Sequence, residues 1–200
     1  VLLTQKPADL DAALACTVDG ASVADLITNA TATIGEKISL RRIAVVEKAD
    51  DEFFGAYMHM GGKISALVVL KGKEDAKVAK DIAMQVASMN PQYVSRNDMP
   101  AEVVEHERKV QTEIVKNDEK LASKPEKVLA GIIEGKVSKN LKDSCLVEQE
   151  FFLNPDQKVG QYLKESGVEV PSFVRYAVGE GIEKREDNFA EEVMSQAFGG

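Results

Sequence analysis

Three apolar runs with almost nothing between them limit this chain most strongly. Leu40 to Glu47, Phe53 to His59 and Lys63 to Leu70 are each rich in β-branched, aromatic or aliphatic residues, the composition of strands. Asp50-Asp51 and Gly61-Gly62 punctuate the gaps. Connections that short close antiparallel hairpins, whereas a parallel pair needs a crossover of roughly a dozen residues or more. A three-stranded antiparallel meander is therefore expected. From Glu74 to Met89, the residues Val78, Ala79, Ile82, Ala83 and Val86 recur at helical spacing until Asn90-Pro91 ends the pattern. That helix should cover one face of the sheet.

Ahead of the strands, Ala8 to Ala15 reads as the end of a helix. Ser22-Val-Ala-Asp25 is a start signal for another, with Leu26, Ile27, Ala30 and Ile34 on one face and Gly35 as its stop. Between Asp98 and Leu141 two charged helices are expected, Ala101 to Lys116 and a second opened by the capping pattern Ser123-Lys-Pro-Glu126. The stripe Val128, Leu129, Ile132, Ile133, Val137 and Leu141 on the second can bury Val103, Val110 and Ile114 on the first, which makes an inserted antiparallel helical hairpin. The core then resumes. Cys145 to Leu153 reads as a strand, Asn154-Pro155 as a turn, Asp156 to Ser166 as a helix closed by Gly167, and Phe173 to Val178 as another strand. Asp187 to Phe198 is a last amphipathic helix on Phe189, Ala190, Val193, Met194 and Ala197, whose apolar face needs something to lie on. These elements divide the chain into a core at 1–97 and 145–182, an insert at 98–144 and a C-terminal helix within 183–200.

With 44% hydrophobic and 29% charged residues, the 200-residue chain has the composition of a globular protein. Its 33 acidic against 25 basic residues, a net charge of −8, argue against nucleic acid as the main partner, because phosphate contacts need clustered Lys and Arg. An acidic protein partner would be repelled unless the charges are segregated. No apolar run approaches the roughly 20 residues of a membrane helix. Cys16 and Cys145 stand alone, outside any CxxC spacing, which suits a reducing cytoplasm. Val1 in place of an initiator methionine raises the expectation that an upstream segment is missing.

Chemistry is poorly supplied. The two histidines, His59 at a strand end and His106 in a charged helix, do not furnish a histidine-rich metal site or a conventional triad. Glu102 and His106 are four apart and could share a metal, but a solvated helix face with ordinary i,i+4 polar contacts is the reading the pattern favours. Gly61-Gly-Lys63 and Gly72-Lys73 lack the full phosphate-loop spacing, and Lys63 leads into a strand where a phosphate site needs a helix N-terminus. Gly179-Glu-Gly181 fails the dinucleotide pattern and reads as a turn. No enzyme, metal or cofactor is expected.

Three ordered strings stand out: Thr33-Ile-Gly-Glu-Lys-Ile-Ser-Leu-Arg-Arg-Ile43, Gly55-Ala-Tyr-Met-His59 and Gly62-Lys-Ile-Ser-Ala-Leu67. Further blocks are Ile82-Ala-Met-Gln-Val-Ala87, Ala101-Glu-Val-Val-Glu105, Lys124-Pro-Glu-Lys127, Ile133-Glu-Gly-Lys136, Val159-Gly-Gln-Tyr-Leu163 and Phe173-Val-Arg-Tyr-Ala-Val-Gly-Glu-Gly-Ile-Glu-Lys184. In order and spacing these resemble elongation factor Ts from about Thr31 to the C-terminus. The resemblance implies a guanine nucleotide exchange factor that promotes GDP release from elongation factor Tu by protein contacts. It implies as well an α+β fold, with an antiparallel β-sheet core, a C-terminal helical module and a homodimer through the inserted hairpin. The family's Thr-Asp-Phe-Val wedge string does not occur in the sequence, and Asp187-Asn-Phe189 is no substitute because it falls in the expected last helix. Full exchange activity is thereby in question.

His59, just before Gly61-Gly62, sits where an imidazole at a hairpin tip can reach a partner, and it matches the family histidine that presses on the GTPase near its phosphate loop. Ile34 and Gly35 match family positions that meet the GTPase, although the local pattern makes them only a helix end and its stop. Phe152 and Leu153 fall where the family makes apolar contacts, and could equally be strand core. Phe189, Val193 and Met194 are the expected contacts of the C-terminal helix. The competing reading is a structural self-association module without exchange activity.

Overall fold

The computed structural model describes residues 1–122 and 124–182. In chain order these form α1 (Leu2–Gln5), α2 (Leu10–Ala15), β1 (Thr17–Val18), β2 (Ala21–Ser22), α3 (Val23–Ile34), β3 (Glu52–His59), β4 (Ile64–Gly72), α4 (Ala76–Met89), α5 (Ala101–Lys116), α6 (Glu119–Ala122), α7 (Glu126–Lys142), β5 (Glu150–Phe151), β6 (Asn154–Lys158), α8 (Val159–Ser166) and β7 (Val168–Ala177). The class is α+β. The C-terminal helix expected at Asp187 to Phe198, with Phe189, Val193 and Met194, lies outside the described residues, as does Ser123 of the capping pattern.

The central sheet has the order β3-β4-β7, antiparallel throughout. Phe53 pairs with Leu70 and His59 with Ile64, while Ile64 also faces Ala177 across the other edge. The second and third expected strands therefore form, but Leu40 to Glu47 is not a strand. Both edges of β4 are already taken, one by β3 and the other by the ten-residue β7. The 40–47 run lies over the sheet's outer face instead, where Ala44 and Val46 line an apolar cleft with Ala56, Leu67 and Val174.

On the inner face, alternation along β4 buries Ala66, Val68 and Leu70. They meet Val78, Ala79, Ile82, Ala83 and Val86 of α4, the stripe read from the sequence. Each fully buried side chain such as Leu70 or Ile82 contributes about 2–3 kcal/mol relative to exposure. Asp75 caps α4 by accepting from the Lys77 and Val78 amides at 2.8 and 3.2 Å. Asn90, in the left-handed conformation at φ 49°, ends it. Gly55 is demanded by this packing, because a Cβ there would lie 2.3 Å from the Ala79 carbonyl oxygen.

The insert packs α5 against α7. Arg108 binds Glu134 at 2.6 Å and Asn140 donates to Glu107 at 2.8 Å, a pairing that runs the helices antiparallel. The inward face differs from expectation. Val103 packs at the base as expected, beside Val104, but Gln111 and Val115 are buried further along, whereas Val110 and Ile114 point outward. Two stripes one residue apart compete on α5. The one chosen lets Arg108 and Gln111 satisfy Glu134 and Glu107, at the expense of two exposed apolar side chains. On α7, Val137, Leu141 and Ile133 join Met99 and Cys145 at the base, and Val128 is exposed.

After the insert, Cys145 to Leu153 is mostly not a strand. The Leu146 and Val147 amides donate to Tyr93 and Val94 carbonyls at 2.9 and 3.1 Å, and a 3-10 turn (Leu146–Glu148) follows. Only Glu150–Phe151 is strand, paired with Asn154–Lys158. That pairing consumes Asp156 to Lys158, so α8 starts at Val159 and not at Asp156. Gly167, at φ 66°, closes it as expected.

Candidate partner-binding site

His59 lies at the end of β3, on the face that β-alternation shares with Phe53, Gly55 and Tyr57. The connection to β4 turns through Met60, Gly61 and Gly62, all at positive φ of 50°, 67° and 93°. Two of the three being glycine makes so tight a reversal accessible. It leaves His59 exposed between Met58, 74% exposed, and Met60, 63% exposed. The half-buried Tyr57 shares a 3.1 Å hydrogen bond between its hydroxyl and His59 Nδ1, with the two rings 5.9 Å apart. A core-anchored phenol thus holds an exposed imidazole, and Nε2 has no hydrogen bond among the described residues.

Ile34 and Gly35 end α3. The helix opens with the expected capping box: Ser22 Oγ accepts from the Asp25 amide at 3.0 Å, and Asp25 Oδ2 from the Ser22 amide at 3.2 Å. Gly35, at φ 78°, stops it, and Ile34 is left 61% exposed. The chain is then tied back by the Ile38 amide donating to Thr31 Oγ1 at 3.2 Å.

Beyond Ile38 comes a cluster that no sequence spacing announced. Glu180 accepts from Arg42 Nη2 at 2.8 Å and from Arg175 Nη1 at 3.1 Å, while Arg41 donates to the Glu180 carbonyl. Arg42 also stacks 4.6 Å from the centre of the Tyr176 ring. The Arg42 hydrogen bond holds the Glu180 carboxyl below the usual carboxylate range, opposed by partial burial. Arg175 is fixed in turn by donating to the Ala87 carbonyl at 3.1 Å. The Gly179 to Gly181 stretch is a turn, as expected, and the Val178 amide donates to Lys63 O at 2.8 Å. The ends of the hairpin, β7 and the 39–42 segment thus surround one cleft of about 310 Å³ lined by Arg41, Arg42, Gly62, Lys63 and Glu180. The available signal was that Arg41-Arg42 and Glu180 lie in two of the ordered strings with opposite charge. Their meeting across 138 residues is purely tertiary.

Phe152 and Leu153 form the two-residue link between β5 and β6, and the structure separates their roles. Phe152 is half-buried, edge-on to Phe151 at 5.6 Å, and its amide donates to Gln85 Oε1 at 2.9 Å. Gln85, fully buried in α4, also donates to Gln149 Oε1 at 3.0 Å and to Glu150 O at 3.1 Å. Leu153, 53% exposed, projects from the hairpin so anchored.

The remaining candidates stay apart from this chemistry. Glu102 and His106 are exposed on α5, and among the described residues no group of three or more His, Cys, Asp or Glu gathers to hold a metal. Cys16 and Cys145 are buried free thiols, and burial pushes the Cys145 thiol up. No helix among the described residues is long and apolar enough to cross a membrane. Compared with known families, residues 1–180 match the family model described as "Elongation factor TS".

Proposed function

Since the chain belongs to the elongation factor Ts family, whose role is nucleotide exchange on elongation factor Tu during translation, we propose that it binds that GTPase and promotes GDP release without covalent chemistry. The observation that carries the reading is His59: an exposed imidazole beside a three-residue positive-φ tip, held from behind by Tyr57. A rigid, protruding polar group is what a protein needs to deform a partner's ligand site by contact. Ile34, Gly35 and Leu153 supply further exposed contacts, and Phe152 supports Leu153 from within. Phe189, Val193 and Met194 complete the set from the C-terminal segment. Such a factor binds the nucleotide-free GTPase more tightly than the GDP form, and by linkage each ligand weakens the other. The site of action is the cytoplasm.

Purified chain added to GDP-loaded elongation factor Tu should bind it and accelerate nucleotide release. Absence of binding in a pull-down and in gel filtration would remove the proposal. Binding without faster release would instead assign exchange to the Thr-Asp-Phe-Val wedge, which these 200 residues lack.

Self-association through the 98–144 insert is the second reading, favoured by the outward Val110, Ile114 and Val128 on the helical hairpin. In that reading the chain self-associates without exchange activity, so the release assay separates it from the first.

A further inference from the structure

The two exposed contacts Ile34 and His59 belong to different elements, α3 and β3. An exchange factor that works by geometry needs them in a fixed relation. A continuous set of bonds supplies it. From α3, Thr31 Oγ1 holds the Ile38 amide; Arg41 and Arg42 then reach across to Glu180; and from the same turn the Val178 amide holds Lys63 O behind the hairpin tip. Among the described residues Glu180 is the member bonded to both sides, since its other carboxylate oxygen takes Arg175 of β7. The Arg42 guanidinium is further fixed by stacking on Tyr176. A forked cation that both bonds a carboxylate and lies on an aromatic face is poorly replaced by lysine.

We propose that Glu180, acting through Arg42 and Arg175, is the positioning residue that fastens the Ile34 end of α3 to the His59 hairpin tip. The role rests on the exchange-factor reading above. Glu180 itself need not touch the GTPase.

The experiment has two arms, using the full chain as wild type, E180Q, E180D and R42K. The first reads amide hydrogen exchange on the free protein. In E180Q the Val178 and Ile38 amides exchange about tenfold faster, R42K is intermediate, and Val86 in α4 is unchanged, because only a local opening has become easier. Unchanged exchange at Val178 and Ile38 overturns the clamp. In the second arm, GDP release is followed against protein concentration. E180Q slows the maximal release rate about five- to tenfold, no more than H59A does, and E180D restores part of it, as loss of a charge-assisted bond predicts. Combined with H59A, the E180Q change adds less than about twofold, because both act through the same contact. Fully additive effects overturn the positioning role. If E180Q fails to fold, R42K carries both arms. A wild-type chain that neither binds elongation factor Tu nor speeds its GDP release overturns the exchange-factor reading and the positioning role with it, whereas an active wild type with unaltered E180Q overturns the clamp alone.

Discussion

His59 is exposed because burial along β3 runs out two residues before the strand does, and it is held because Tyr57, two residues back on the same face, packs against the core. Replacing His59 by Ala removes the protruding group and leaves the strand pairing intact. The expected result is GDP release slowed about tenfold with affinity for the nucleotide-free GTPase changed less than about threefold, read by stopped flow and titration. Tyr162 illustrates a different residue-level device. Its hydroxyl donates to Asp81 Oδ2 at 2.8 Å and its ring stacks on Phe151 at 4.2 Å; burial first, then Asp81, pushes the phenol up to about 12. The unfolded phenol titrates near about 10. A raised folded value means stability that is whole below about 10 and is lost as pH rises toward about 12. Y162F should cost about 1 kcal/mol at neutral pH through the lost bond to Asp81. Wild type should lose urea resistance more steeply than Y162F between these two pH values. Parallel curves would show that the phenol does not carry the alkaline loss.

Among the elements, α4 joins the parts. Its apolar stripe covers the sheet, its backbone meets Gly55 directly, and its one fully buried polar side chain, Gln85, ties it to Gln149, Glu150 and the Phe152 amide. Q85L would leave the Phe152 amide, Gln149 Oε1 and the Glu150 carbonyl without this partner in the interior. A loss of about 2–3 kcal/mol is expected, seen as a lower urea midpoint with an unchanged slope. G55A should cost about as much for a steric reason, since its methyl group would meet the Ala79 carbonyl. A melt of G55A within a degree or so of wild type would contradict the close approach. The stripe on α4 was legible in the sequence because Val78, Ala79, Ile82, Ala83 and Val86 recur on a single helical face with no rival face of comparable strength. The α5 stripe was not, because two faces were nearly equal and only the polar pairing with α7 decided between them.

At the level of the whole molecule, the main core contains no residue of α5 or α7. The insert meets the rest through a small base of Met99, Val137, Leu141 and Cys145 against Tyr93. Removing 98–141 should therefore leave a cooperative unfolding transition, and any self-association through the outward Val110, Ile114 and Val128 should vanish. Native mass before and after the deletion reads both. A monomer in each case would leave the hairpin without that role. By itself the sequence determined the elements whose signals are local: the capping box at Ser22, the stops at Gly35, Asn90 and Gly167, the hairpin tip beside His59, and the α4 stripe. Its ordered strings also pointed to the family. Tertiary structure alone decided that β7 and not Leu40 to Glu47 completes the sheet, that Phe152 turns inward while Leu153 turns out, and that Glu180 meets Arg42. The reason is physical. A cap or a period is fixed by neighbours a few residues away, whereas an edge strand, a burial choice or an ion pair across 138 residues is a competition among distant segments that only the assembled core resolves.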